Sequence, residues 1–252
     1  MNNILRALWY REINLYRRHM LTSAFMPILT ALVLFFAFSL PFRGQVNATE
    51  WQGIIQAFIL DTVILAITIT IYETTARFYW DAQHGNGMVS LYEMGRFSHQ
   101  PSFFLAQALI GLAKGFFHGV IVLIILLALT SQYSFNINLQ AVLLFLLLGA
   151  LQVVALSKIL GLVIRQVEFL SKVLYLGGFP VLLLSGLYLV GDSPLVQFSG
   201  LAYYLPPYNW LAGVSKAFLA GTIDYGFLFI TLIETVFLVW LSATFFQLDG
   251  DR

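Results

Sequence analysis

Residues 102–130, SFFLAQALIGLAKGFFHGVIVLIILLALT, are one of six apolar stretches that are each long enough to cross a lipid bilayer. A helix rises about 1.5 Å per residue and the hydrocarbon core is about 30 Å thick, so roughly 20 apolar residues span it. The chain is therefore predicted to be an all-α integral membrane protein with six transmembrane helices. The predicted spans are 20–42, 53–76, 102–130, 139–164, 173–190 and 226–246.

Composition supports this assignment and limits what else the chain can hold. Of its 252 residues, 60% are hydrophobic and 10% charged, and the mean hydropathy is +0.84, whereas a soluble domain carries about 25% charged residues. The segments between spans are too short to bury a core, so we expect one membrane domain over 1–252. It comprises an amphipathic lead (1–19), a six-span bundle (20–246) and a cytoplasmic tail (247–252).

The sequence lacks the residues that thiol chemistry and nucleotide binding require. Cysteine is absent, which excludes disulfides, thiol nucleophiles and cysteine metal sites. No phosphate-binding glycine motif occurs, so ATP with its Mg²⁺ would have to be bound by another chain. We expect no metal site, because the four histidines are scattered.

The distribution of basic residues predicts the orientation. With six spans, nine basic residues fall on one side of the membrane and two on the other, Arg43 and Lys216. The positive-inside rule then places both termini in the cytoplasm, and we expect a bacterial cytoplasmic membrane. The nine residues are Arg6, Arg11, Arg17, Arg18, Arg77, Arg96, Arg165, Lys172 and Arg252.

Two segments on the predicted cytoplasmic side have the pattern of surface helices. Residues 4–18 separate basic and apolar side chains onto opposite arcs, which is typical of a helix lying on the inner leaflet. Glu12 interrupts the apolar arc and either meets a partner from a neighbouring segment or reaches water. Between the second and third spans, a turn signal at 85–87 precedes a short helix over 88–94, which has the shape of a docking element.

Polar residues inside the spans predict surfaces turned away from lipid. Asp61, Thr68, Tyr72 and Thr75 share one face of the second span, which should point toward protein or a wet path. The same Thr and Ser residues could instead serve only in helix packing. Asp61 and Glu234 lie at comparable predicted depths, where a carboxyl group is protonated, paired or wet.

Three charged residues are predicted to lie at similar levels near the inner ends of their spans: Glu73, Lys114 and Lys158. Either each lysine extends its ammonium group to the interface, or Glu73 pairs with a lysine and ties the spans together.

The region 177–221 is interrupted by glycine and proline. Gly177-Gly178-Phe179-Pro180 should break or bend the fifth span. The following apolar pieces, about 194–204 and 207–220, are too short to span and predict re-entrant helices in the outer leaflet. Tyr208 and Trp210 suit the aromatic belt at the headgroups.

Taken in order, these parts resemble the permease subunit of a type-2 ABC transporter, the family with the ABCG-like membrane fold. The resemblance covers essentially the whole chain. It rests on Arg11-Glu12 in the basic lead, on Gly87-Met-Val-Ser-Leu-Tyr-Glu93 before the third span, on Pro180 followed by Leu184-Ser185-Gly186, and on Leu205-Pro-Pro-Tyr-Asn-Trp210 before the last span.

The resemblance implies two permease chains, expected to be identical, in the lipid bilayer with two copies of an ABC ATPase subunit, and no nucleic acid. Residues 88–95 would be the coupling helix. The implied ATPase-docking residues are Met88, Val89, Ser90, Leu91, Tyr92, Glu93, Arg11 and Glu12. The implied substrate path between the two permease chains contains Asp61, Thr68, Tyr72, Ser185 and Tyr188. The implied outer gate contains Pro206, Pro207, Tyr208, Asn209 and Trp210.

The expected function is ATP-driven export of a lipid-like, drug-like or lipid-linked glycan substrate, because the predicted path carries few charges. Three alternatives remain open: export of haem or another cofactor on the same plan, an ion-coupled carrier that uses Asp61 and Glu234, and a membrane enzyme. No internal inverted repeat supports the carrier. No nucleophile–base or metal motif supports the enzyme, so no catalytic activity is expected in this chain.

Overall fold

The computed structural model is almost entirely helical in the residues that it describes, which are 6, 9–14, 17, 25–43, 48–84, 101–130, 137–164, 166–185 and 206–250. After helical residues 9–14 come eight α-helices, and a π-helical turn, Leu174–Gly178, joins the fifth to the sixth. The α-helices are α1 Met26–Arg43, α2 Ala48–His84, α3 Pro101–Thr130, α4 Leu139–Val163, α5 Val167–Val173, α6 Phe179–Leu184, α7 Pro206–Leu219 and α8 Tyr225–Gly250.

Four of these helices are long and apolar enough to cross a membrane. Their membrane-length segments are Trp51–Trp80, Leu105–Thr130, Leu139–Gly161 and Tyr225–Thr244, which confirms the second, third, fourth and sixth predicted spans as apolar helices. The first predicted span corresponds to a shorter apolar helix, Met26–Pro41. The fifth, predicted over 173–190, is described only as far as Ser185.

Helix α2 is the centre of the bundle. In the most apolar 18-residue segment of each helix, 72% of the residues are buried in α2, 28% in α3 and 22% in α8. It packs against α1, α3, α4, α5 and α7. The outer faces of α3 and α8 present large apolar side chains, among them Phe117, Ile124, Phe229 and Val236, as expected of surfaces that meet lipid or another apolar protein face.

Small residues allow α3 to lie directly on α2. Gly111, Gly115 and Gly119 repeat every fourth residue and form a stripe on one face of α3. A Cβ added at Gly115 would lie 3.0 Å from the Ile67 carbonyl oxygen, and one at Gly119 would lie 2.9 Å from the Ile67 side chain. Without hydrophobic driving force in lipid, such close backbone approach is what holds membrane helices together.

Helix α4 makes two similarly close contacts. At its last turns a Cβ on Gly161 would lie 2.7 Å from the Ala76 carbonyl oxygen of α2. Further back, the Trp210 ring of α7 covers Gly149, while the Phe145 ring of α4 covers Gly213 of α7. Each helix therefore offers the other a glycine where the other presents an aromatic ring.

These contacts define two ends of the bundle. The Asn138 end is marked by a backbone hydrogen bond of 2.9 Å from the Asn138 N–H to the Ala217 carbonyl. The Gly161 end holds the last turns of α2 and α4. Helix α7 runs antiparallel to α4 and finishes at the Asn138 end. Its 14 residues extend about 21 Å, which is too short to cross a core of about 30 Å.

The predicted interruption of the fifth span is present as a π-helical turn. The Phe179 N–H bonds the Leu174 carbonyl five residues back, and Pro180 has no N–H to continue the α-helical pattern. Helical backbone therefore continues from Val167 to Leu184 through a widened turn.

Replacing Gly161 with Ala is expected to destabilise the bundle, because the new methyl group would overlap backbone atoms of α2 that cannot move away singly. Overpacking of this kind costs about 1–3 kcal/mol. Thermal unfolding in detergent checks it, with Gly53→Ala as the matched control, since a Cβ at Gly53 meets nothing within 4 Å. Equal unfolding temperatures for the two variants would contradict the packing described.

Candidate functional site

The amino-terminal segment is attached to the bundle by an ionic contact. Glu12 accepts a hydrogen bond from Lys114 Nζ of α3 at 3.2 Å and one from Arg11 at 2.9 Å. The Arg11 guanidinium in turn lies 4.7 Å from the centre of the Phe78 ring of α2. Glu12 and Lys114 expose only 11% and 14% of their side chains. Of the two interpretations open for Glu12, the structure therefore supports the one with a partner.

A second polar contact lies beside the glycine stripe. His118 of α3 is fully buried, and its Nδ1 lies 2.8 Å from the Thr70 hydroxyl of α2. That hydroxyl also donates to the Ala66 carbonyl at 2.8 Å. Because a carbonyl can only accept, this arrangement assigns the hydroxyl proton to Ala66 and an N–H to His118 Nδ1. The contact fixes the register of α3 on α2.

The other predicted charges near this level lie on separate helices. Lys158 of α4 is buried, and its Nζ lies 5.8 Å from the centre of the Tyr79 ring. Lys114 engages Glu12, as described above. Glu73 is half-buried on α2, and its pairing with a lysine stays a prediction.

Most of the predicted path residues described on α2 and at the end of α6 donate their hydroxyl hydrogen bonds to backbone carbonyl groups. The Tyr72 hydroxyl donates to the Leu170 carbonyl of α5 at 2.8 Å, which ties α2 to α5. Thr68 donates to Ile64 and Ser185 to Val181, each within its own helix. Asp61 is half-buried. Their role in a substrate path stays a prediction.

The predicted gate residues lie on the first turn of α7, which confirms a helix near 207–220. The expectation for Trp210 in the headgroup belt is wrong, because the ring is 97% buried against Gly149 inside the bundle. Tyr208 packs edge-to-face on Phe227 of α8 with ring centres 6.0 Å apart. Pro206 and Pro207 begin the helix, where a missing N–H leaves no bond unmade.

Next to Trp210, polar side chains of three helices meet. Asn209 of α7 donates to Glu234 Oε1 of α8 at 2.7 Å. The Gln152 side chain of α4 donates to the Thr231 carbonyl at 3.4 Å and to the Thr235 hydroxyl at 3.2 Å. We call these five residues the α4–α7–α8 polar cluster.

The connection between α7 and α8 forms an exposed ionic cap at the Asn138 end. Asp224 Oδ1 accepts from the backbone N–H groups of Gly226 and Phe227 at the start of α8, while Oδ2 binds Lys216 Nζ at 2.7 Å. The hydrogen bond from Lys216 is the first cause that lowers the pKa of Asp224 below its ordinary value of 3.8, and the Phe227 N–H adds to it.

Several predicted residues lie outside the described part of the chain: Tyr188 of the path and the docking residues Met88, Val89, Ser90, Leu91, Tyr92 and Glu93. Within the described part, no three His, Asp or Glu side chains are grouped so that they could hold a metal ion.

Comparison of the chain with models of protein families, with curated proteins and with solved structures gives no match. Proposals about function therefore depend on the sequence pattern and on the contacts described above.

Two features of the structure have a signal in the sequence that was not among the predictions. The Gly111, Gly115 and Gly119 repeat is the small-residue spacing of a helix contact. Asp224 stands just before the apolar run of the last span, which is the position of a helix-capping residue.

Reversing the charge at Glu12 tests the attachment of the amino-terminal segment. Glu12→Lys should lower stability by about 1.5–3 kcal/mol, the value of a hydrogen bond to a charged group, because it places like charges beside Lys114. Adding Lys114→Glu should restore the wild-type unfolding temperature, while the exposed Lys172→Glu change should leave it unaltered. An unrescued double variant would contradict the pairing.

The Asp224 cap predicts a stability change in acid. Since its pKa is lowered in the folded protein, its contribution is present above the unfolded value of 3.8 and lost as pH falls through the folded value. Thermal unfolding of wild type and Asp224→Asn should differ above that pH and converge below it. A constant difference across the acid range would show that the ion pair contributes nothing.

Proposed function

We propose that this chain is the transmembrane subunit of an ATP-driven transporter of the ABC-2 type, with ATP hydrolysed on a separate chain. The observation that carries the proposal is the contact of Arg11 and Glu12 with Phe78 of α2 and Lys114 of α3. It joins the amphipathic lead to the same two helices that the predicted coupling helix connects.

The predicted coupling segment would pass movement of the ATPase chain to α2 and α3. Residues 85–100 link the end of α2 to the start of α3. Helices α2 and α3 are locked together by the glycine stripe and by the His118–Thr70 hydrogen bond. A force applied to the coupling segment would therefore move the pair as one body. The conformational equilibrium of the bundle can then be biased by a ligand, ATP, bound to another chain.

The contacts between helices support six crossings. Helix α4 begins at the Asn138 end and finishes at the Gly161 end, yet α8 begins beside Asp224, at the Asn138 end again. The chain must return between them, and helical residues 167–184 lie on that return. Helices α1 and α2 are separated by residues 44–47 alone and pack on each other, as an antiparallel pair does.

The assembly that we propose contains two copies of this chain and two ATPase subunits in a bacterial cytoplasmic membrane, with both termini inside. The largely exposed apolar faces of α3 and α8 offer surface for lipid and for the second copy. The substrate path would lie between the copies, along Asp61, Thr68, Tyr72, Ser185 and Tyr188. The few charges on this path favour export of a lipid-like, drug-like or lipid-linked glycan substrate.

The α4–α7–α8 polar cluster favours a second candidate, an ion-coupled carrier. Glu234 places a carboxyl group about 14 Å along α8 from Tyr225, near the middle of a core of about 30 Å. Transport that requires an ion gradient and persists without ATP would favour this candidate.

Purification of the tagged chain from its native membrane in mild detergent tests the proposal. We expect an ATPase with a phosphate-binding glycine motif to copurify, together with ATP hydrolysis. Changing Leu91 and Tyr92 to Asp should abolish both, because charges would enter the apolar docking surface, whereas Tyr133→Asp in the loop on the predicted opposite side should not. Absence of any ATPase from the wild-type preparation would overturn the proposal.

A further inference from the structure

The α4–α7–α8 polar cluster contains buried hydrogen-bonding atoms that no described residue satisfies. Three buried atoms of the cluster have no partner among the described residues: Gln152 Oε1, Thr231 Oγ1 and Glu234 Oε2. Thr231 and Gln152 expose 0% and 2% of their surface. An acceptor left unsatisfied in such surroundings costs about 1–3 kcal/mol, so a set of them in one place requires an explanation.

The orientation of the Gln152 amide is set by its neighbours. Its nitrogen lies 3.4 Å from the Thr231 carbonyl oxygen. A backbone carbonyl can only accept, so the nitrogen must face it and Oε1 must face elsewhere. The Gln152 amide also forms a hydrogen bond with the Glu234 carboxyl group, so its two N–H groups are shared among three acceptors: the Thr231 carbonyl, the Thr235 hydroxyl and Glu234. An ionised Glu234 would therefore leave Oε2 as a further unsatisfied acceptor in the cluster.

We propose that Glu234 is a proton-binding site inside the membrane, occupied in the folded protein, with the proton on Oε2. In this form Glu234 Oε1 remains a carbonyl oxygen and keeps the hydrogen bond from Asn209 at 2.7 Å. The proton removes Oε2 from the unsatisfied acceptors and gives the cluster a donor for its orphaned oxygens. It also removes a full negative charge from the depth at which a charge is most costly.

Burial distinguishes a proton from larger ligands. The three orphaned atoms are inaccessible to solvent, so a metal ion or an ammonium group has no route to them unless α8 moves away from α4 and α7. Besides Glu234, the titratable side chains described on the packed helices are Lys158 on α4, Tyr208 and Lys216 on α7, and Tyr225 on α8. Lys158 lies over Tyr79, and Lys216 binds Asp224 at the Asn138 end.

Occupancy of this site would control how tightly α8 is held. Loss of the proton leaves a carboxylate with one unsatisfied oxygen where α4, α7 and α8 meet. The inference does not depend on the transporter proposal, because it concerns only contacts within this chain. It would give either type of transporter a response to pH.

Infrared spectroscopy of the full-length protein in lipid nanodiscs at neutral pH tests the proposal, since a neutral carboxylic acid gives a C=O stretch that a carboxylate does not. The expected band is present in wild type, lost in Glu234→Gln and kept in Asp61→Asn, a matched control at another membrane carboxyl. Gln152→Leu and Asn209→Leu should each move the band to higher frequency by removing one of its hydrogen bonds.

Glu234→Gln should also fold as wild type does at neutral pH, since its neutral amide supplies an N–H donor in place of the acid hydroxyl. A proton that is bound more tightly in the folded state contributes stability that is full below the unfolded pKa of the carboxyl group and is lost as pH rises through the folded pKa. The unfolding temperature of wild type should therefore fall toward alkaline pH relative to that of Glu234→Gln.

An acid band that is unchanged in Glu234→Gln would overturn the proposal and would point to a carboxylate satisfied by water or by another donor. If Glu234→Gln does not fold, the spectra of wild type and Asn209→Leu are compared instead. A carboxylic acid C=O band that differs in frequency between these two proteins supports the site, and the absence of any acid band in wild type contradicts it.

Discussion

The structure depends on one constraint: within the hydrocarbon core no water is available, so every polar group must find its partner inside the protein. Several buried Thr and Ser side chains meet this requirement locally. Thr62, Thr68, Thr70 and Ser157 each donate to the carbonyl four residues earlier in their own helix. Charged and amide side chains cannot be satisfied in this way. Lys114, Gln152 and Glu234 instead reach other helices, and those contacts determine which helices lie together.

Two units follow from this constraint. Helices α2 and α3 form one unit. They pack closely along the glycine stripe of α3, and the ionic contact of Glu12 with Lys114 attaches the amino-terminal segment to them at the Gly161 end. Helices α4, α7 and α8 form the other, joined by reciprocal glycine–aromatic contacts and by the polar cluster. The predicted coupling segment is continuous with the first unit, and the half-length helix α7 belongs to the second. A transport cycle in which the two units move relative to each other would use the existing boundaries between them.

The sequence predicted what depends on length and composition. Four apolar helices lie where runs of about 20 apolar residues required them, and the glycine–proline interruption at 177–180 became a π-helical turn. The pairing of Glu12 with Lys114 could not be predicted, because the two residues are 102 positions apart and no local pattern relates them. The prediction for Trp210 was wrong for a similar reason. Its amphipathic ring suits the headgroup region, but in the folded bundle the ring packs against Gly149, and no local pattern relates the two residues. The Gly111, Gly115 and Gly119 repeat differs from these two cases, because its spacing in the sequence alone would have predicted a close helix contact.

The central claim is a six-span subunit whose lead and coupling segment share one face of the membrane. Labelling of single cysteines with a membrane-impermeant reagent tests this claim most directly, because the chain contains no cysteine of its own. The account predicts that Ser134→Cys and Ser193→Cys react from outside the cell, whereas Ser90→Cys and Gln166→Cys react only after the membrane is opened. Labelling of Ser193→Cys from the same side as Ser90→Cys would show that the chain does not cross between α4 and α7, which would contradict the six-span plan and the transporter built on it.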